Sequence, residues 1–204
     1  MTKTICLVLA LLLAPAASAL AGEAGDAVFA ERGPWSLGDT ALVWTQTVKG
    51  PEAEGFRAVE GGTLTLSETV DPSDGKPVLQ INHESNDFDR KVGPFPISGG
   101  DPVLTFFLER TSRDMAALTG GSPFYIRNRM KDALFGAGSL TRDGDTVEAR
   151  FKPFEGDPNA ARMNGFETLE LVFTLGDDPK MPIRELLAQT AGDSPGYVNH
   201  LVMQ

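Results

Sequence analysis

Residues 61–83 read GGTLTLSETVDPSDGKPVLQINH, and this stretch carries the clearest structural signals of the chain. Leucine and hydroxyl residues alternate over 63–67, which predicts a strand with one buried and one solvent-facing side. The DPSDG sequence at 71–75 supplies turn residues, and a second apolar alternation follows over 78–83. We therefore predict an antiparallel hairpin.

Other segments repeat this period of two. The alternation predicts further strands over 41–49, 147–151, 169–175 and 197–203. A hairpin turn is predicted at Asp143-Gly144, directly before the second of these strands. The polar stretch 84–100, interrupted by prolines and glycines, is predicted to be a long loop. Residues 182–189 are predicted to form a short helix or an edge strand, with the helix slightly favoured.

The middle of the chain changes period. The continuous apolar run 103–108 has the length of a central strand buried on both faces. Thr111 at an N-cap position and Gly120 as a left-handed stop then predict a short helix. A second helix is predicted between Ser122 and Gly136. Its apolar side is assigned to Phe124, Met130, Ala133 and Leu134.

The order of these elements predicts an α+β fold. Its sheet is expected to be mainly antiparallel and curved, and the two consecutive helices, inserted mid-chain, are expected to pack on one face. A single domain over 22–204 accommodates all of these elements. The layout leaves a concave apolar space between sheet and helices, where a hydrophobic small molecule could bind.

The N-terminus has the three parts of a secretory signal. Lys3 precedes an apolar run over 5–13, and small residues follow up to two candidate cleavage positions, after Ala19 and after Ala21. This run is too short to span a bilayer, so we predict no membrane span. The pattern predicts that residues 1–21 are cleaved and that the protein is exported to the periplasm.

Composition excludes several classes of function. Removal of residues 1–21 takes Lys3 with it and changes the formal net charge from −10 to −11. The single cysteine, Cys6, is removed as well, which excludes disulfides, thiolate metal sites and cysteine nucleophiles in the mature chain. The acidic charge argues against nucleic acid as a partner. No cofactor is predicted.

Among the acidic segments of the sequence, residues 83–89, HESNDFD, are the strongest candidate for a metal or catalytic site. His83, Glu84, Asp87 and Asp89 offer oxygen and imidazole ligands for a metal, or a histidine–carboxylate pair for acid–base chemistry. The glycine and distal glutamate of a calcium-binding EF-hand loop are missing. His83 also shares a strand side with apolar residues, so a metal or catalytic site here is only the alternative prediction.

Basic residues gather on the predicted helices despite the acidic composition. The predicted ligand-binding residues are Arg113, Tyr125, Arg127 and Arg129. Arginine offers a forked set of donors, so this group could clamp a carboxylate, a phosphate or an acidic partner. The competing interpretation is a solvated helix face whose arginines pair with nearby acidic residues.

Two functions remain open from the sequence. The leading hypothesis is an exported, non-enzymatic binding or accessory protein that takes a hydrophobic small molecule or an envelope protein partner. The alternative is a metal-assisted or carboxylate-dependent hydrolase that uses the 83–89 segment. The absence of a recognisable catalytic motif favours the first.

Overall fold

The computed structural model describes residues 22–136, 138–192 and 196–204, so the predicted leader lies outside the described residues. Within these ranges the chain forms three α-helices and nine strands. Their bounds, in chain order, are α1 Glu23–Val28, β1 Ala41–Lys49, β2 Val59–Val70, β3 Pro77–Ser85, β4 Phe88–Pro96, α2 Pro102–Thr119, α3 Pro123–Phe135, β5 Ser139–Asp143, β6 Thr146–Phe151, β7 Glu170–Gly176, β8 Glu185–Gln189 and β9 Val198–Met203. None of the described helices is long and apolar enough to cross a bilayer.

The strands form one open antiparallel sheet, which confirms the predicted α+β class. Their order is β4-β3-β2-β1-β9-β8-β7-β6-β5. From β1, beside the centre of the sheet, the strands run outward to β4. The chain then crosses through α2 and α3 to the other edge at β5 and returns to β9. The first and last strands therefore pair in the middle, from Trp44 opposite Met203 to Lys49 opposite Val198.

Both predicted hairpin turns are confirmed. Strands β2 and β3 pair up to Val70 and Pro77, and the turn between them is held by the Asp71 side chain, which accepts from the Ser73 amide at 2.8 Å. Gly144 joins β5 to β6 with a φ of 58°, a conformation that glycine adopts without steric strain. Local turn chemistry determines both connections.

The prediction of a strand over 103–108 is wrong, because these residues form the first turns of α2. Asp101 caps this helix by accepting from the amides of Val103 and Leu104, at 2.9 and 3.1 Å, and Pro102 occupies the first turn. An unbroken apolar run fits a buried helix as well as a buried strand. The helix therefore begins nine residues before Thr111, and Gly120 ends it as predicted, with a φ of 68°.

The predicted loop over 84–100 is also wrong in its main part, because Phe88–Pro96 forms the edge strand β4. Only one side of β4 is paired, and most of its side chains are exposed. An edge strand can therefore carry charged residues and prolines, which break the alternation expected of a half-buried strand. Phe88, Val92 and Phe95 still pack against the core.

Of the two alternatives for 182–189, the favoured helix is wrong, and the strand is right except that it does not lie at an edge. Residues Glu185–Gln189 form β8, which is paired on both sides, with β7 and with β9. Leu186 and Ala188 are buried and the residues between them are half-buried, as in a strand of the sheet interior. Residues 185–189 have only a weak local preference for helix or strand, so pairing with β7 and β9 decides that they form a strand.

Helix α2 packs directly on the sheet, and aromatic side chains fill the contact. Phe107 of α2 meets Phe173 of β7 edge-to-face, with ring centroids 5.9 Å apart, and Phe151 of β6 meets Phe173 at 6.0 Å. Helix α3 has the predicted bounds and buries Met130 and Leu134. Phe124, however, is 72% exposed and does not belong to the apolar side of α3.

Candidate functional site

Two of the four predicted ligand-binding residues bind the same carboxylate, that of Glu109. Arg127 of α3 donates to both oxygens of Glu109, at 2.8 and 3.0 Å, and Arg113 donates to one of them at 2.7 Å. Partial burial alone would raise the pKa of Glu109. The hydrogen bonds and charges of Arg127 and Arg113 outweigh this effect, so the pKa of Glu109 lies below its usual value. Glu109 thus ties α2 to α3.

The other two predicted residues converge on Asp157, whose side chain is fully buried. The Tyr125 hydroxyl donates to Asp157 at 2.8 Å, and Arg129 Nε donates to it at 2.8 Å. The Asn159 amide donates to the same carboxylate at 2.8 Å. The four residues therefore form two groups, Arg113 and Arg127 on Glu109, and Tyr125 and Arg129 on Asp157. Their role in ligand binding stays a prediction.

A second group of arginines lines a cleft between the β3–β4 hairpin, α2 and the segment that joins β1 to β2. The cleft has a volume of about 320 Å³. Its lining consists of Gly55, Arg57, Phe88, Arg90, Arg110, Arg113 and Asp114. Four of these residues are positively charged and one is negatively charged, in a chain whose formal net charge is −10. We call this the arginine cleft.

The four arginines of the cleft differ in how their charge is balanced. Arg110 Nε donates to both carboxylate oxygens of Asp114 at 2.8 Å, and Arg113 is paired with Glu109. Within the described ranges, Arg57 and Arg90 have no carboxylate oxygen within 4.0 Å of their guanidinium nitrogens. Two of the four arginines in the arginine cleft are therefore without an ion-pair partner in the part of the chain that the structure describes.

These two guanidinium groups share one aromatic ring. The guanidinium carbon of Arg90 lies 5.6 Å from the ring centroid of Phe88, and that of Arg57 lies 5.8 Å from it. Both distances fall within the range of cation–π attraction. Burial, and then the positive charges of Arg110, Arg113 and Arg57, lower the pKa of Arg90. Asp114 opposes this shift, and repulsion between like charges is thus a property of the arginine cleft.

A chain of buried hydrogen bonds connects the cleft to the centre of the sheet. Arg90 donates to His83 Nδ1 from two nitrogens, at 3.3 and 3.2 Å, and His83 Nε2 lies 2.7 Å from Gln46 Oε1. Guanidinium nitrogens only donate, so Nδ1 must accept from Arg90. The ring proton therefore lies on Nε2, which donates to Gln46 Oε1. Gln46 then donates to Asn199 at 3.0 Å, and Asn199 donates to Thr111 at 3.0 Å.

Three titratable groups beside the cleft have shifted pKa values. Burial, with the charges of Arg90 and Arg110, lowers the pKa of His83 to about 4. Burial raises the pKa of Asp114, against the opposing effect of Arg110. Tyr197 donates to Asp114 at 3.0 Å, and burial followed by the charge of Asp114 raises the pKa of Tyr197 well above its usual value. Such shifts concentrate at functional sites.

The alternative acidic site does not assemble around a common point. His83 is fully buried, while Glu84, Asp87 and Asp89 are exposed. Both ring nitrogens of His83 are bound by protein groups, and Glu84 lies opposite Asp89 across the β3–β4 hairpin. The described residues contain no group of three or more histidine, cysteine or carboxylate side chains placed to hold a metal ion.

Exposed aromatic residues lie on the helical side of the molecule. Phe29, at the end of α1, stacks on Phe135 of α3 with ring centroids 4.6 Å apart, and Phe135 is 61% exposed. Leu108, Met130 and Leu134 line a shallow groove beside this pair. The predicted protein partner on the helical face stays a prediction.

Sequence reasoning identified one of the four cleft arginines, Arg113, and missed the other three. Arg57, Arg90 and Arg110 are far apart in the chain and come together only through the β3–β4 pairing and the position of α2. The local signal was the spacing of Arg110 and Arg113, which places them on one side of a helix. This spacing is informative only if both residues lie in one helix, and the predicted helix begins at Thr111, after Arg110.

No model of a known protein family matches the chain, and no curated protein matches it significantly. The protein is therefore classified by its fold and by the residues of its cleft. The protein has an open nine-stranded antiparallel sheet with inserted helices, and a cleft lined by four arginines and one aspartate lies beside the β3–β4 hairpin.

Proposed function

We propose that the protein is an exported, non-enzymatic binding protein that takes a small anionic ligand in the arginine cleft. The observation that carries this proposal is the charge balance of the cleft. Arg57 and Arg90 face it without a carboxylate partner among the described residues. Guanidinium groups in this arrangement bind carboxylate and phosphate oxygens through charge-assisted hydrogen bonds.

The surroundings of His83 favour binding over acid–base catalysis. A general base needs a free lone pair within reach of its substrate and a pKa near the working pH. In His83 the Nδ1 lone pair accepts from Arg90 and Nε2 is bound to Gln46, while the pKa is lowered to about 4. The hydrolase alternative receives no support from this geometry.

The hydrophobic-ligand version of the binding hypothesis is less well supported than the anionic one. Phe107 and Phe173 meet in the contact between α2 and the sheet, where the sequence suggested an open apolar space. Both side chains are fully buried. The arginine cleft, by contrast, opens to solvent and presents unpaired donors.

Export is supported by the sequence at the N-terminus, and cleavage there is compatible with the position of helix α1. Helix α1 begins at Glu23 and buries Ala24 and Gly25. Cleavage after Ala21 therefore leaves α1 in the mature chain. Mass spectrometry of the periplasmic fraction should find a protein that begins at Gly22, or at Leu20 if cleavage follows Ala19. An uncleaved chain retained in the cytoplasm would contradict export.

Anion binding is testable by a nuclear magnetic resonance titration with carboxylate, sulfate and phosphate esters. We expect backbone amide shifts in residues 88–90 and 110–114, and we expect binding to weaken as salt is added, because ions screen exposed charges. The variant Arg57→Gln/Arg90→Gln, which removes the two arginines without an ion-pair partner, should weaken binding about tenfold or more, since each charged hydrogen bond contributes about 1.5–3 kcal/mol.

The control variant is Arg142→Gln/Arg162→Gln, which removes the same charge from exposed positions outside the cleft. Its affinity should equal that of the unmodified protein. Equal losses of affinity in the two variants would show that net charge, rather than the arginine cleft, attracts the anion. Absence of binding by every anion tested would contradict the proposed function.

A further inference from the structure

The number of uncompensated charges in the arginine cleft bears on the charge of its ligand. Asp114 binds Arg110 through both carboxylate oxygens, and Glu109 is shared between Arg113 of the cleft and Arg127 of α3. Arg57 and Arg90 have no ion-pair partner among the described residues, and both remain positive at any physiological pH because guanidinium groups do not deprotonate there. A ligand with two negative charges would therefore match these two guanidinium groups, whereas one with a single charge would match only one of them.

Arg57 and Arg90 line the same cleft, so a ligand that binds both is expected to carry its two negative charges on one compact group. Their guanidinium carbons are 5.6 and 5.8 Å from the centroid of the same Phe88 ring. Separate carboxylates at the ends of an extended chain would spread the negative charge away from this ring. A tetrahedral phosphate presents several oxygens to two forked donor groups at the same place.

The size of the cleft indicates that the phosphate carries an organic group. A volume of about 320 Å³ lies at the small end of the range for ligand pockets, about 300–1,000 Å³. It is roughly ten times the volume of one water molecule in the liquid. The half-buried Phe88 ring supplies an aromatic surface on which a small apolar or planar substituent can pack.

From these three observations we infer that the arginine cleft binds a phosphate monoester in its dianionic form. This inference rests on the proposed function and narrows it from anions in general to one chemical class. A phosphate monoester loses its second proton near pH 6, so it carries two charges at pH 8. A sulfate monoester of the same shape carries only one.

The test compares phenyl phosphate, phenyl sulfate and benzoate by isothermal titration calorimetry at pH 8 with the full mature chain. We expect phenyl phosphate to bind at least about tenfold more tightly than phenyl sulfate. In Arg57→Gln the affinity for phenyl phosphate should fall about tenfold and the preference over phenyl sulfate should largely disappear. Arg162→Gln, the matched control, should retain both affinity and preference.

The Arg57→Gln variant is suitable because Arg57 is exposed and its side chain makes no ion pair among the described residues. An unchanged thermal unfolding midpoint would show that the variant folds. Equal affinity for phenyl phosphate and phenyl sulfate, or preferential binding of benzoate, would overturn the dianion inference and leave the proposed function standing. Failure of all three ligands to bind would overturn both.

Discussion

His83 is an imidazole that the fold keeps neutral. Its ring is fully buried, it contacts the rings of Phe88 and Phe106 at 4.6 and 4.9 Å, and it accepts a hydrogen bond from Arg90. Protonation would place a third positive charge beside Arg90 and Arg110 and would remove the acceptor on Nδ1. His83 therefore links the cleft to the core through hydrogen bonds to Arg90 and Gln46, and only its neutral form can make both of them.

This environment predicts a pH-dependent stability. The pKa of His83 is about 4 in the folded protein and about 6.5 in an unfolded chain. Between these values the unfolded chain binds a proton that the folded protein does not, so stability is complete above about pH 6.5 and is lost as the pH falls toward 4. The loss should reach about 2–3 kcal/mol, measured as the free energy of urea unfolding.

The matched variant for this measurement is His83→Gln, which keeps a polar side chain but cannot titrate. We expect it to be less stable than the unmodified protein at pH 7, and we expect the stability difference between the two proteins to shrink as the pH falls. A difference that stays constant from pH 7 to pH 4.5 would show that His83 does not titrate as proposed.

Helix α2 is the element on which both the core and the arginine cleft depend. Its first turn is anchored by Asp101, which caps two backbone amides and lies 3.7 Å from the Nε of Arg32 in a buried ion pair. Arg32 in turn donates to carbonyls at the end of α1, including that of Val28 at 2.8 Å. One carboxylate thus fixes the start of α2 and its position relative to α1.

Two substitutions separate these roles of Asp101. Asp101→Asn keeps an acceptor for the amides of Val103 and Leu104 but leaves Arg32 buried without a counter-charge, and should lower the free energy of unfolding by about 3 kcal/mol. Asp101→Ala also removes the cap and should lower it by about 1 kcal/mol more. Urea unfolding at pH 7 measures both.

The control for the α2 substitutions is Asp132→Asn, at an exposed position of α3. It should change the free energy of unfolding by no more than about 0.5 kcal/mol. If Asp101→Asn were as stable as the unmodified protein, the buried ion pair with Arg32 would make no net contribution, and the role of Asp101 would reduce to capping.

At the scale of the molecule, the first and the last strand meet at the centre of one sheet. Strand β9 pairs with β1 on one side and with β8 on the other, so it joins the two halves of the sheet. The sheet edges are β4, which carries Arg90, and β5. Substitutions at the centre should therefore affect the whole fold, while those at an edge act locally.

A pair of leucine truncations tests this arrangement. Leu201 of β9 is fully buried, and Leu201→Ala should lower the free energy of unfolding by about 2–5 kcal/mol, as is usual for core leucines. Leu140 of β5 is only half-buried, and Leu140→Ala should lower it by about 1 kcal/mol. Equal losses in the two variants would contradict the central role of β9.

The sequence by itself determined the features that depend on neighbouring residues. Alternation predicted β1, β2, β3, β6 and β7, turn residues predicted both hairpins, and Pro123 with Gly136 bounded α3. These predictions succeeded because side-chain period and turn geometry are encoded within a few residues. Composition likewise excludes thiol chemistry from residues 22–204, which contain no cysteine, without any knowledge of the fold.

Only the tertiary structure decided whether 103–108 is strand or helix, whether the polar residues of β4 pair at an edge, and which arginines share a surface. Each of these depends on contacts between residues far apart in the chain, such as Asp101 with Arg32 or Arg90 with His83. The arginine cleft arises because β4 pairs with β3 and α2 packs beside them. No local pattern records that Arg57, Arg90 and Arg110 meet there, since their proximity results from sheet pairing and helix packing.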